Sequence, residues 1–169
     1  MDAGAGAGFP GVPLKIAFPE IRLTLLDSAS RKTAFLCHLA EALGLQFTNV
    51  VTARLEDAGR DPGLREAFDV VVSRAVAKLA VLAELTVPLC AIGGTVVCQK
   101  GEGIEEEVAG SRAAADILGG EIADVTHLEL PELGQRRSLV VLWKVRPTPD
   151  RYPRRPGIPA KRPIARAQG

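Results

Sequence analysis

Residues 2–11 read DAGAGAGFPG, and the reading of this stretch decides the fold. Gly4, Gly6, Gly8 and Gly11 alternate with small or apolar residues. Such a run is open to three readings: a flexible linker, a scrap of silk-like repeat, or a loop wrapped around a ligand. A linker would separate folded units, yet a helix-like segment and an apolar strand follow at once. A silk-like repeat needs many copies, and here there is one. The third reading remains: backbone free of side chains, able to approach a ligand closely at the first turn of an open α/β sheet.

The rest of the chain supplies that sheet. VPLKIAF (residues 12–18) reads as a short helix, with Pro13 tolerated in its first turn. IRLTLLD reads as a strand ending at Asp27. ASRKTAFLCHLAEALG places Phe35, Leu36, Leu39 and Leu43 on one helical stripe, with Gly44 to end it. FTNVVTA and FDVVVSRA are strands, KLAVLAELTVPL a helix closing near Pro88, and GGTVVCQKG a further strand. IEEEVAGSRAAADILGG is a helix with acids in its first turn and a Gly-Gly stop. Strands that are apolar almost throughout, alternating with helices, predict a parallel sheet covered on both faces. EIADVTHLELP and RRSLVVLWKV have only a short polar turn between them, which predicts an antiparallel hairpin added to that sheet.

Composition narrows the classes. The chain has 169 residues, 47% of them hydrophobic and 24% charged, enough for one domain with a sizeable core and too apolar for general disorder. No apolar run reaches the length of a membrane span and no signal peptide is evident, so a cytoplasmic protein is expected. Cys37, Cys90 and Cys98 sit far apart in apolar contexts and read as three reduced core thiols. His38 and His127 lack ligand-like neighbours, and no metal site is expected. The net charge of +1 conceals an asymmetry. Residues 146–169 carry seven cations against the single acid Asp150, leaving 14 cations and 19 acids for residues 1–145. An acidic body with a basic tail suits a polyanionic partner.

Two cofactor classes fit the glycines. Residues 6–11 satisfy the dinucleotide pattern GxGxxG, and residues 2–8 satisfy the DxGxGxG pattern of methyltransferases. Pro10 lies where a dinucleotide fold needs N–H groups aimed at a pyrophosphate, and proline has none. The final hairpin is a feature of methyltransferase sheets. The balance favours S-adenosylmethionine, with Asp27 at the end of the second strand as acceptor for ribose hydroxyls.

Four segments, DAGAGAGFPGVPLKIAFPE, LLDSASRKTAFL, FDVVVSRAVA and PTPDRYPRRPGIPAKRP, closely resemble the ribosomal RNA small subunit methyltransferase G family, also called glucose-inhibited division protein B. The resemblance runs in order through essentially the whole chain. It implies a Rossmann-like class I fold and transfer of methyl from S-adenosylmethionine to N7 of a guanine in 16S ribosomal RNA, as naked RNA or in a small-subunit particle. By match to the family's positions, Gly4 and Phe9 contact the cofactor, Leu55 and Glu56 lie against the adenine, and Arg74 sits at the cofactor site. Guanine N7 carries an in-plane lone pair and no proton to remove, so no general base is required and the task is alignment. Arg74 stays protonated and is expected to act as a positioning cation.

Residues 146–169 hold half of the chain's 12 prolines and are expected to form an extended tail or wrapping arm beside a methyltransferase domain of residues 1–145. Arg151, Arg154, Arg155, Lys161 and Arg162 suit phosphates, and Tyr152 suits an exposed base. A strap that packs over the hairpin is the competing reading. In one respect the sequence departs from the family. Met1 stands directly before Asp2, whereas family members carry a helical segment and an apolar strand there. The first, central strand is therefore expected to be largely missing, with the edges of its neighbours exposed, and the true start is expected upstream. Two other functions stay open: a non-catalytic RNA-binding fragment, and a nicotinamide-dependent oxidoreductase.

Overall fold

In the computed structural model, which describes residues 1–74, 77–131 and 134–164, the apolar run LTLLD forms strand β2 (Leu23–Asp27), one strand in from the edge of the sheet. Leu23, Leu25 and Leu26 are all buried, as a strand covered on both faces must be. Around it lie β1 (Asp2–Ala3), β3 (Thr48–Thr52), β4 (Phe68–Arg74), β5 (Cys90–Lys100), β6 (Gly120–Leu130) and β7 (Gln135–Lys144). Their order across the seven-stranded sheet is β3-β2-β1-β4-β5-β7-β6. The first five strands pair in parallel, and β7 enters antiparallel between β5 and β6. The expected hairpin is thus present. Its polar turn at residues 132 and 133, the Ala75 end of the FDVVVSRA strand and the cation Arg166 lie outside the described residues.

β1 is only two residues long, yet it sits at the switch point where strand order reverses. Asp2 pairs with Leu25 on one side and Val72 on the other. Beyond Met1, β2 and β4 border a cleft of ≈ 730 Å³ lined by Leu14, Phe18, Ile21, Val70 and Val72, among others. Phe18, at the end of the first helix, and Val70, on β4, are exposed there.

The helices are α1 (Gly11–Ala17), α2 (Ser30–Ala42), α3 (Leu55–Ala58), α4 (Leu79–Thr86), α5 (Glu105–Ile117) and α6 (Ile158–Lys161). Gly11 opens α1 because nothing larger fits: a Cβ there would lie 2.7 Å from Leu25 and 2.8 Å from Asp2 Oδ2. Gly44, at φ +61°, follows the end of α2 as expected. The stripe on α2 is narrower than its sequence suggests. Leu36 is fully buried and Leu39 packs against the core, but Phe35 and Leu43 are exposed, because α2 covers an end of the sheet and meets it along a single edge. Cys37, on the same helix, is also exposed, which corrects its reading as a core thiol; Cys90 and Cys98 are buried. The short helix α3 was not expected from sequence: its four residues are too few to show a period.

The basic, proline-rich segment is a strap folded against the body, and it crosses α3 and α4 rather than the hairpin. Lys144, at the end of β7, has a fully buried side chain that pairs with Glu66 at 2.9 Å and donates to Thr148 Oγ1. Thr148 N–H in turn donates to Glu66 Oε1 at 2.7 Å. Arg65 donates to the carbonyls of Gly59, Thr148 and Tyr152. Arg154 grips Glu84, the one acid of the otherwise apolar α4, with Nε and Nη2 at 2.8 and 2.6 Å. Ile164 is buried in the main core and Tyr152 packs against it. No helix among the described residues is long and apolar enough to cross a membrane.

Burial alone would raise the Glu66 carboxyl, but the Thr148 N–H and the Lys144 ammonium outweigh it and hold the group below its ordinary value. An acid depressed on folding stabilises the native state above its unfolded pKa, and that contribution is lost as pH falls through the folded pKa. Glu66→Gln is therefore expected to lower stability at pH 7 by on the order of 1–2 kcal/mol, with the gap closing as pH falls below 4. Urea melts at several pH values would check this; a gap that widens in acid would contradict it.

Candidate functional site

The loop after β1 is built by two carboxylates and one carbonyl. Gly4 and Ala5 N–H both donate to Leu26 O at 2.9 Å. Gly6 N–H donates to Asp27 Oδ2 at 3.0 Å, and Gly11 N–H to Asp2 Oδ2 at 2.8 Å. Between these anchors Gly4, Gly6 and Gly8 take φ of +79°, +59° and +94°, angles at which an L side chain is strained. Asp2 is fully buried and its Oδ1 has no partner among the described residues. Burial pushes its carboxyl up to about 6, even though the Gly11 N–H favours the charged form.

Asp27 ends β2 and its two oxygens serve three donors. Besides Gly6, Ala29 N–H reaches Oδ1 at 2.9 Å and opens α2, and Lys32 Nζ lies 3.5 Å from Oδ2. The Lys32 side chain is more than half exposed, so this pair is weak. On the far side, Thr52 ends β3 and the chain turns through Ala53 and Arg54 into α3, which carries Leu55 and Glu56. Glu56 Oε1 accepts from Gly157 N–H of the strap at 3.0 Å. Arg74 ends β4, and its guanidinium carbon lies 5.5 Å from the centroid of the Phe9 ring, a cation–π distance.

Gly4, Phe9, Asp27, Leu55, Glu56 and Arg74, the six cofactor residues expected from sequence, line a single cavity of ≈ 420 Å³ at the carboxyl ends of β1 to β4. This is where open α/β sheets bind ligands, and the volume suits a nucleoside-sized molecule. The sequence reading passed over Ala5, Gly6, Leu26, Ser28, Lys32, Ala53, Arg54 and Leu85, which share the cavity. Ser28 and Lys32 directly follow Asp27 and were within reach of local reasoning. Leu85 comes from α4, and no spacing in the sequence announces it.

The lining fits S-adenosylmethionine. Leu26, Ala53, Leu55 and Leu85 give apolar walls for a purine, Asp27 and Glu56 give carboxylates for hydroxyls and an amine, and Arg74 and Lys32 give cations for a carboxylate. The backbone has room to approach as well. A Cβ built on Gly6, which lines the cavity, meets nothing nearer than Gly4 O at 3.9 Å, so the space beside the loop is open.

Sheet order, final hairpin and cavity together define a class I S-adenosylmethionine-dependent methyltransferase. Solved structures agree on the fold. A 16S rRNA (adenine(1408)-N(1))-methyltransferase variant from Catenulisporales acidiphilia matches with TM-score 0.72 at 18% identity, over 88% of this chain and 85% of that one. TYW2 of M. jannaschii in complex with AdoMet matches with TM-score 0.62 at 18% identity, over 85% of this chain and 68% of that one. Sequence comparison is more specific. The family model for rRNA small subunit methyltransferase G matches residues 1–140. Proteins named ribosomal RNA small subunit methyltransferase G are 49% identical in Pelotomaculum thermopropionicum and 52% identical in Roseiflexus castenholzii. Each alignment covers 97% of this chain, and 69% and 70% of the respective relative. The chain belongs to the rRNA small subunit methyltransferase G family.

Gly6→Ala tests the cradle. Its φ of +59° makes the substitution costly by about 1–2 kcal/mol, and it adds a methyl to a loop that lines the cavity. The expected result is a modest loss in melting temperature and about a tenfold or greater loss of adenosylhomocysteine affinity by calorimetry. Unchanged affinity would mean that the loop backbone does not face the ligand.

Proposed function

We propose that the chain transfers the methyl group of S-adenosylmethionine to N7 of a guanine in 16S ribosomal RNA. The observation that carries this reading is the single cavity that gathers Gly4, Phe9, Asp27, Leu55, Glu56 and Arg74, in a chain of this family. Bound there, S-adenosylmethionine supplies a methyl group already activated on a sulfonium. The protein's own part is alignment in a sheltered pocket. Asp27 holds the ribose side, Leu55 and Glu56 hold the adenine side, and the bare loop at Gly4 and Gly6 lets the ligand lie against backbone. Arg74, backed by the Phe9 ring, orients the methionine carboxylate or an RNA phosphate. Guanine N7 needs no proton removed, so no residue acts as general base. The base must be accessible at the pocket mouth, which calls for an unpaired or extruded guanine. A ribosomal substrate supports a cytoplasmic location.

The strap supplies the RNA contacts, though with fewer cations than its composition offers. Arg151, Arg155, Lys161 and Arg162 are exposed. Arg154 is turned inward onto Glu84, and Tyr152 is half-buried against the core with the Arg151 guanidinium 5.1 Å from its ring centroid. Arg146 pairs with Asp116 at 2.8 Å. Four exposed cations, those of the described part of the strap, on single-stranded RNA give a plot of log affinity against log salt with slope about −3.

The direct test is incubation with methyl-labelled S-adenosylmethionine and either 16S RNA or small-subunit particles, followed by nucleoside analysis. Label in N7-methylguanosine is the expected outcome. RNA binding and adenosylhomocysteine binding without any transfer would leave the non-catalytic fragment. In the salt titration, Arg155→Gln and Lys161→Gln are each expected to flatten the slope by about 0.7.

A further inference from the structure

We infer that the C-terminal strap is part of the cofactor site: through Gly157 it positions the Glu56 carboxylate that selects adenine. This rests on reading the cavity as the S-adenosylmethionine pocket and deepens that reading. Three independent ties hold α3, the helix that carries Glu56, to the strap. Gly157 N–H donates to Glu56 Oε1 at 3.0 Å. Pro153 packs on Gly59 at the end of α3 so tightly that a Cβ on that glycine would lie 2.8 Å from Pro153 Cγ. Arg65 Nη1 bridges the Gly59 and Tyr152 carbonyls at 2.8 Å each. The strap is itself clamped just before Gly157, where the Arg154 backbone N–H and guanidinium both meet the fully buried Glu84 carboxylate.

The consequence for recognition follows from where the donors fall. Glu56 is a long, rotatable side chain at the rim of an open cavity, and α3 spans only four residues, too short to be held by its own hydrogen bonds. With Oε1 taken by Gly157, the carboxylate is fixed, and Oε2 has no hydrogen-bond donor among the described residues. A fixed carboxylate oxygen accepts from the exocyclic amine of adenine. Hypoxanthine presents a carbonyl oxygen at the same position, and two acceptors facing each other repel. Gly157 suits its task because its φ is +81°, which points its N–H back at α3 from a turn that other residues adopt only under strain.

The test compares adenosylhomocysteine with S-inosylhomocysteine by calorimetry, without RNA, on the full chain. Gly157→Pro removes the donor and cannot take the observed φ, while Arg154, Glu84 and the Lys144 cluster are untouched. The expected outcome is about a tenfold loss of preference for the adenine nucleoside, the worth of one hydrogen bond to a charged acceptor. Glu56→Gln keeps an oxygen for Gly157 but offers an amide N–H to the base, and is expected to shift preference toward the inosine compound. A purely structural strap would lower the melting temperature in Gly157→Pro and leave the preference intact, which overturns the inference; so does an unchanged preference in Glu56→Gln. Failure of the parent chain to bind either nucleoside sinks the pocket reading first, and the strap's role with it.

Discussion

The site depends on a constraint at the first turn: a main chain that must pass between two buried carboxylates. Asp2 holds the start of α1 through Gly11, and Asp27 holds the middle of the loop through Gly6. The path between them requires three residues with positive φ, which is why glycine recurs at alternate positions. The alternation that resembles low-complexity sequence is a record of backbone geometry. It also sets the distance between α1 and the sheet, since at Gly11 even one methyl would meet Leu25 and Asp2.

What could be read from the chain follows from how local each signal is. The strands are short apolar runs, and the glycine loop, Asp27 and Arg74 each stand at a strand end, so their convergence follows from the order of elements once a parallel sheet is accepted. The resemblance to a family located Leu55 and Glu56, which spacing alone would have left as an acidic turn. Leu85 was out of reach because its place in the cavity comes from how α4 lies on the sheet. Phe35 and Leu43 were misjudged for a related reason. Helical period shows which residues share a face, and it says nothing of how wide a neighbour covers that face. Cys37 is exposed on the same helix for the same cause.

Charge was the least legible property. The tail's composition offered seven cations to a polyanionic partner, but composition counts ions without pairing them. Arg154 is matched to Glu84 and Arg146 to Asp116, while Lys144, just before the tail, is matched to Glu66. Glu84 has no exposure, and an isolated carboxylate there would be very unfavourable. The Arg154 fork, with its own backbone N–H on the same oxygen, is what makes that acid tolerable. Such a pair contributes little net stability against an apolar alternative. It does fix where the chain must cross α4, and so it sets the register of everything after it.

That register puts a contact to the cavity-lining Glu56 and two exposed cations on one segment. The strap places Gly157 against Glu56, and four residues later it presents Lys161 and Arg162 to solvent. If those cations engage phosphate, RNA and cofactor act on the same piece of chain, and linkage then requires that each alter the other's affinity by the same factor. The size of that factor is bounded by what differs between the strap's docked and displaced states. The Gly157 contact bounds it near tenfold; the Arg154–Glu84 clamp, which RNA need not disturb, would add to it only if the whole strap lifted. A short strap clamped at Arg154 and anchored again at Ile164, with Lys161 and Arg162 exposed between them, is therefore suited to fine adjustment of the Glu56 side of the cavity rather than to opening and closing it.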